Sequence, residues 1–398
     1  MFPYLSYIIV CISHFFVDMM IGLWPAYKTF AHLDIAIAGM ISGICAFLGE
    51  GMQVYFGSMS DRGYRKMLIF IGLLTSLSAA ALFYTRDYLW IFFLYLGVCF
   101  GSGAFHPAAV SFVSDTAKNK SSLLISIFAC AGSIGLALSQ LIFFQLDTLF
   151  EGAVYLIALP AVFIALFSFV RSSVCPTAPT AALNALNTPP AKNVKGIINF
   201  FKQRNLRLLY IFQVCNGAVF WGAMFLLPDI LVSRGYSSEI SFGYGHFMYV
   251  LGSASMMIPA GFLADRFSSR SVIMGAMLLS SLLLYAFVLS PFLGNGEVLI
   301  LLFALGAMLG LVNPVAVALA TRLAPHQKGL VSAFSMGLVL CVSEVIGHAG
   351  GGAVSTFFTE DAAAMALAVL GSFLFIGYAT TARLTSEGRE TVPAPIDH

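Results

Sequence analysis

A helix needs roughly 20 consecutive apolar residues to cross about 30 Å of hydrocarbon, and this chain supplies that length repeatedly. Between breaks of charge, Pro, Gly and Asn, twelve such runs stand out: 5–28, 36–56, 67–84, 89–113, 121–146, 152–171, 206–232, 239–262, 271–290, 297–320, 329–355 and 362–383. The run from Met67 to Leu82 is apolar on every side and does not alternate. The runs therefore read as helices and not as strands of a membrane barrel. Composition agrees. Of 398 residues, 59% are hydrophobic and 10% charged, where soluble domains sit nearer 45–50% and about 25%. The mean hydropathy is +0.91. Twenty basic and 18 acidic side chains cannot cover so much apolar surface in water. This excludes a soluble enzyme, a disordered chain and a nucleic-acid-binding domain. A net charge of +2 gives no reason for a polyanion partner. The fold class is an all-α membrane protein, with the lipid bilayer as first partner and no nucleic acid.

Lys and Arg orient such a chain. One side collects Arg62, Arg65, Lys66, Lys118, Lys120, Arg171, Lys192, Lys195, Lys202, Arg204, Arg207, Arg266, Arg270, Arg322, Lys328, Arg383 and Arg389, which is 17 of the 20. The other side carries only Lys28, Arg86 and Arg234. Both termini are expected in the cytoplasm. No basic residue precedes the first apolar run, and no small-residue cleavage site follows at a signal-peptide distance. The first span is expected to be retained. Six of the seven cysteines lie inside apolar runs and none form a C-x-x-C pair, so they read as packing residues.

The chain is duplicated. Residues Ser172–Ala191 are rich in Pro, Thr, Ala and Asn and read as part of a cytoplasmic linker over 172–205. It joins a six-helix half over 1–171 to a second over 206–398, which ends in a short tail. Gly57-Ser-Met-Ser-Asp61-Arg62-Gly-Tyr-Arg65 follows span 2, and Gly261-Phe-Leu-Ala-Asp265-Arg266-Phe-Ser-Ser-Arg270 follows span 8. Gly101 and His106-Pro107 in span 4 match Gly310 and Asn313-Pro314 in span 10. Ser126-Ile-Phe128 in span 5 matches Ser332-Ala-Phe334 in span 11, and the offsets run from 204 to 209 residues. Two pseudo-symmetric six-helix halves around one axis are the plan of a rocking carrier with a midplane site.

These G-x-x-x-D-R-x-x-R loops, twelve spans and a central linker resemble the major facilitator superfamily over nearly the whole chain. Ser13-His14-Phe-Phe-Val-Asp18 in span 1, Gly101-Ser-Gly-Ala-Phe105-His106-Pro107 in span 4 and Gln53 in span 2 are similar to motifs of its fosmidomycin-resistance group. The resemblance implies a monomeric secondary transporter in a bacterial-type inner membrane. It also implies that Gly57, Asp61, Arg62, Arg65 and their copies Gly261, Asp265, Arg266 and Arg270 form a latch between the halves. Asp115 resembles the latch's acidic partner.

A carboxylate at a helix centre costs about 2.5–3.5 kcal/mol on insertion scales, so intramembrane acids face the bundle interior and mark function. The chain places Asp18 in span 1, Glu50 in span 2 and Glu344 in span 11. His14 and Asp18 are i, i+4, as are Glu344 and His348. Each pair shares one helix face and can pass a proton near neutral pH. If spans 1 and 11 both line the cavity, the two pairs face each other. His106 can take up the carbonyl freed by Pro107, and His246 reads as bonded to a neighbouring helix. Gln213, Asn216 and Asn313 are the candidates for hydrogen-bonding a substrate, with Trp24, His106 and Trp221 as further cavity residues. His14, Asp18, Cys215, Glu344 and His348 together offer a transition-metal donor set, which makes a divalent metal a possible substrate.

No G-x-x-x-x-G-K-[ST] loop is present, so ATP-driven transport within this chain is unsupported. No protease or lipase motif lies in the spans, and the chain reads as no enzyme. It needs no cofactor and draws on the proton gradient. The leading expectation is a proton-coupled carrier of a small molecule, with antibiotic efflux implied by the resemblance. The alternatives are a divalent metal carrier and a non-transporting sensor on the same fold. Two features weigh against phosphonate export. Ser139-Gln140 stands in span 5 where exporters of the superfamily carry Gly-Pro, and no Lys or Arg occupies a helix centre.

Overall fold

The computed structural model describes residues 2–116, 121–170, 202–290, 293–323 and 337–384. Most of the expected linker, the Ser332–Phe334 landmark of span 11, and the tail beyond 384 lie outside them. All regular structure among the described residues is helical.

Several spans are single helices. They are Tyr88–Thr116, Ser121–Leu149, Arg204–Ser233, Ser269–Leu289, Asn295–Leu323 and Ala362–Ala382. The others are broken, and the breaks coincide with polar or small residues. Span 1 runs as Phe2–Ile21 and Leu23–Phe30, meeting at Gly22. Span 2 starts at Ile35–Gly49, capped by Asp34, whose carboxylate accepts the Ile37 amide at 2.9 Å. It tightens to a 3₁₀ turn at Glu50–Met52 and continues as Gln53–Met59. Span 8 ends in a turn before the separate helix Pro259–Arg266. Span 11 is widened by a π turn at Ile346–Gly350, around His348. Such turns often mark functional positions. Eight stretches among the described residues are, taken whole, long and apolar enough to cross a membrane. One of them, Ile35–Tyr84, contains both spans 2 and 3.

Within the first half, span 1 packs on span 5, and span 4 on spans 2 and 3. Within the second, span 8 packs on span 10, span 7 on span 12, and span 9 on both 10 and 12. The halves meet along two seams, span 2 against span 11 and span 5 against span 8. The outside is greasy: Phe262 is 75% exposed, Ile258 71% and Val54 70%. Such surface suits acyl chains and not water.

Close helix contact depends on missing side chains. A Cβ on Gly306 of span 10 would run into the carbonyl of Tyr249 in span 8, whereas nothing lies within 4 Å of one on Gly275. Gly306→Val is therefore expected to destabilise the purified protein by about 1–3 kcal/mol, the usual cost of overpacking. Gly275→Ala should be tolerated or slightly stabilising. Thermal unfolding in detergent measures both.

Candidate functional site

A chain of polar side chains crosses the apolar interior from span 1 to span 11. At one end, His14 and Asp18 lie one turn apart on the same face. His14 Nε2 is 3.3 Å from Asp18 Oδ2. His106 of span 4 completes the cluster, its Nε2 lying 3.2 Å from Asp18 Oδ1 and 3.1 Å from His14 Nε2. The far ring nitrogens are pinned by backbone. His14 Nδ1 bonds the Phe128 carbonyl at 2.8 Å, and His106 Nδ1 the Ser102 carbonyl at 2.9 Å. Phe128 also stacks on the His14 ring, with centroids 4.0 Å apart.

Ser102 carries the chain onward. Its hydroxyl lies 3.2 Å from His106 Nδ1 and donates to Glu50 Oε1 at 2.8 Å. The Glu50 and Glu344 carboxyl groups are neighbours across the seam between the halves, and Glu344 Oε1 has no hydrogen-bond partner among the described residues. Both are buried. Two carboxylates repel, so a hydrogen bond between them requires a proton on one. His348 follows one turn after Glu344, with Nδ1 at 3.6 Å from Glu344 Oε1 and 2.7 Å from Ser42 Oγ of span 2. The two i, i+4 pairs do not touch. Ser102 and Glu50 stand between them.

Beside this chain, a cavity of about 180 Å³ opens between the halves. Gln213, Asn216, Asn313, Phe220 and Trp221 line it, with Ser133 from span 5, and among the described residues no charged side chain does. Gln213 Nε2 reaches Asn313 Oδ1 at 3.5 Å, and Asn216 Nδ2 donates to the Leu309 carbonyl at 3.0 Å. Gln213 Oε1 and Asn216 Oδ1 are buried without a hydrogen-bond partner. Both oxygens are themselves shut off from open space, and the amide orientations are set by the bonds just given.

Sequence reasoning missed the strongest contact between the halves. Lys28 of span 1 is wholly buried and pairs with Asp229 of span 7 at the end of the bundle poor in basic residues. Thr29 Oγ1 donates to Asp229 Oδ1 at 2.7 Å, and the Lys28 ammonium sits 4.4 Å from the Phe225 ring centroid. The available signal was a lone cation and a lone acid at matching ends of spans 1 and 7. Each alone reads as a solvated cap.

The loop residues behave unevenly. Arg65 Nη1 pairs with Asp115 at 2.9 Å and Nη2 donates to Ser111 at 2.6 Å, tying span 3 to span 4. Among the described residues it takes Asp115 and not Asp61. Asp61 and Arg62 are exposed on the turn that Gly63 makes at φ +95°. A Cβ on Gly57 would touch Pro107 at 3.7 Å, and one on Gly261 would meet nothing within 4 Å. Arg266 lies 5.7 Å from the Phe267 ring centroid, and Arg270 donates to the Ala382 carbonyl. The side chain of Asp265 lies outside the described residues. Trp24 stacks on Tyr95 at 4.2 Å inside the first half and does not line the cavity. Cys215 faces Gly377, so the five-residue metal set of the sequence is not assembled. His14 and Asp18 gather His106 instead. His246 Nε2 lies 2.8 Å from the Leu136 carbonyl, which joins span 8 to span 5.

Comparisons with known proteins agree with this architecture. The family model described as the Major Facilitator Superfamily matches residues 6–347 and 209–397. The MFS-type transporter YfnC of Bacillus subtilis (strain 168) is 26% identical over 396 residues, covering 93% of this chain and 91% of its own. A bacterial homologue of the human lysosomal transporter Spinster, solved inward-facing and unoccupied, superposes with a TM-score of 0.74 at 15% identity, covering 95% of each chain. The nucleoside transporter NupG superposes with 0.74 at 13% identity, covering 95% of this chain and 98% of its own. Twelve spans in two duplicated halves, a polar path through their centre and a matching family model lead to one conclusion: the chain belongs to the Major Facilitator Superfamily.

Proposed function

We propose that this secondary transporter is proton-coupled and exports a small, uncharged drug or antibiotic. The observation that carries the coupling is the contact between Glu50 and Glu344. These two buried carboxyl groups come from opposite halves, and a proton held between them relieves the repulsion of two neighbouring carboxylates. Holding that proton keeps spans 2 and 11 together. Losing it sets two like charges against each other and favours parting. Proton binding is thereby tied to the movement of the halves.

The substrate class follows from the cavity. Its aromatic walls accept an apolar body, while the amide side chains of Gln213, Asn216 and Asn313 beside them offer polar partners. An anionic phosphonate would meet no charged partner there. The motifs at Ser13–Asp18 and Gly101–Pro107 support efflux.

Everted vesicles acidified inside test this. Adding an exported solute should draw protons out, read as recovery of acridine-orange fluorescence across a panel of uncharged drugs. Uptake that persists after nigericin collapses the pH gradient would sink the coupling. A drug that raises the unfolding temperature but is never moved would identify a sensor instead.

A further inference from the structure

We infer that His14, Asp18 and His106 form a binding site for a divalent first-row transition metal ion. The reasoning starts from hydrogen-bond sense. A carbonyl oxygen only accepts, so the Nδ1 atoms facing Phe128 and Ser102 must both carry hydrogen. Each neutral ring then turns a bare Nε2 inward. The two Nε2 atoms lie 3.1 Å apart, and each lies 3.2–3.3 Å from a different oxygen of Asp18. Every inward atom is an acceptor, and all can fall within 4.8 Å of one another. A proton satisfies such a cluster one edge at a time, whereas a divalent cation satisfies all its edges at once.

The dimensions fit. A metal at a zinc-like bond length, about 2.0–2.1 Å from both nitrogens, would see them at an angle of about 100° at the observed 3.1 Å separation. That is close to tetrahedral. Two imidazoles and one carboxylate suit zinc-, cobalt- or iron-type ions rather than Mg²⁺ or Ca²⁺. The carbonyls on Nδ1 are the outer partners that metal-binding histidines use to fix their tautomer. Gly132 of span 5 packs directly against the cluster: a Cβ there would overlap both Asp18 and His14. It is also reachable, since the His106 and Asp18 side chains keep 26% and 18% of their surface accessible. Among the described residues the cluster meets the Glu50–Glu344 pair only through the Ser102 hydroxyl, and the inference does not rest on the proposed drug export.

Co²⁺ titration of the purified protein in detergent tests it. The wild type should develop the intense visible bands of four- or five-coordinate cobalt, saturating at one ion per chain. Zn²⁺ should remove the bands and Mg²⁺ should not. His14→Gln and His106→Gln should abolish them while Glu344→Gln keeps them, with unfolding temperatures showing that each variant is folded. Absence of the bands in the wild type, or their survival in both histidine variants, overturns the site. The wild-type spectrum alone decides if a variant fails to fold.

Discussion

Asp229→Asn is expected to lower the stability of the purified protein by about 3–5 kcal/mol, the cost of leaving one member of a buried ion pair without its partner. Lys28 has no exposed surface, and its ammonium meets Asp229, the Thr29 hydroxyl and the face of Phe225. The ring and hydroxyl do not neutralise it, so the lysine must drag water in or pull the halves apart. Amide hydrogen exchange along Leu23–Phe30 should rise together with the fall in unfolding temperature. The double variant Lys28→Met with Asp229→Leu should recover most of the loss, because a well-packed apolar pair replaces an ion pair at little cost. An unchanged unfolding temperature in Asp229→Asn would show that the pair holds nothing together.

Glu344→Gln is expected to reduce proton-driven flux to the level of protein-free vesicles. The amide can still donate to Glu50, so the seam between spans 2 and 11 stays closed, but no proton enters or leaves it. The infrared spectrum tests this without knowledge of the substrate. The wild type should show the carbonyl stretch of a buried protonated carboxyl group, fading as pH rises, and Glu344→Gln should lack it. Stability should follow. In the wild type the seam holds at low pH and weakens once both acids are charged. In the variant the unfolding temperature should be nearly independent of pH over the same range. A wild-type spectrum without that band contradicts the shared proton.

The span count, the duplicated halves and the i, i+4 pairs were legible because each depends on spacing along one helix. Glu50, Glu344 and Asp18 were visible as rare acids in apolar surroundings. Their partners were not. His106 joins His14 across 92 residues, and Glu344 meets Glu50 across the seam. Nothing in local periodicity sets which helix faces which. Lys28 and Asp229 failed for a related reason. Charges near the end of a span are usually solvated, and only the packed structure shows that this lysine is not. Trp24 and Cys215 were chosen by residue type. Type alone does not say which way a side chain points, and they face a ring stack and a glycine instead.

The seam between spans 2 and 11 has a kinetic meaning. Gly39, Gly43, Ala349 and Gly352 meet there almost backbone to backbone, with Cα of Gly39 and the Cβ position of Gly352 only 3.3 Å apart. No long side chains interlock across these positions, so few rotamers must change when the helices part. The surface behaves as a low-friction bearing. A larger side chain at Gly39, Gly43 or Gly352 would hold the two helices, and with them the halves, apart.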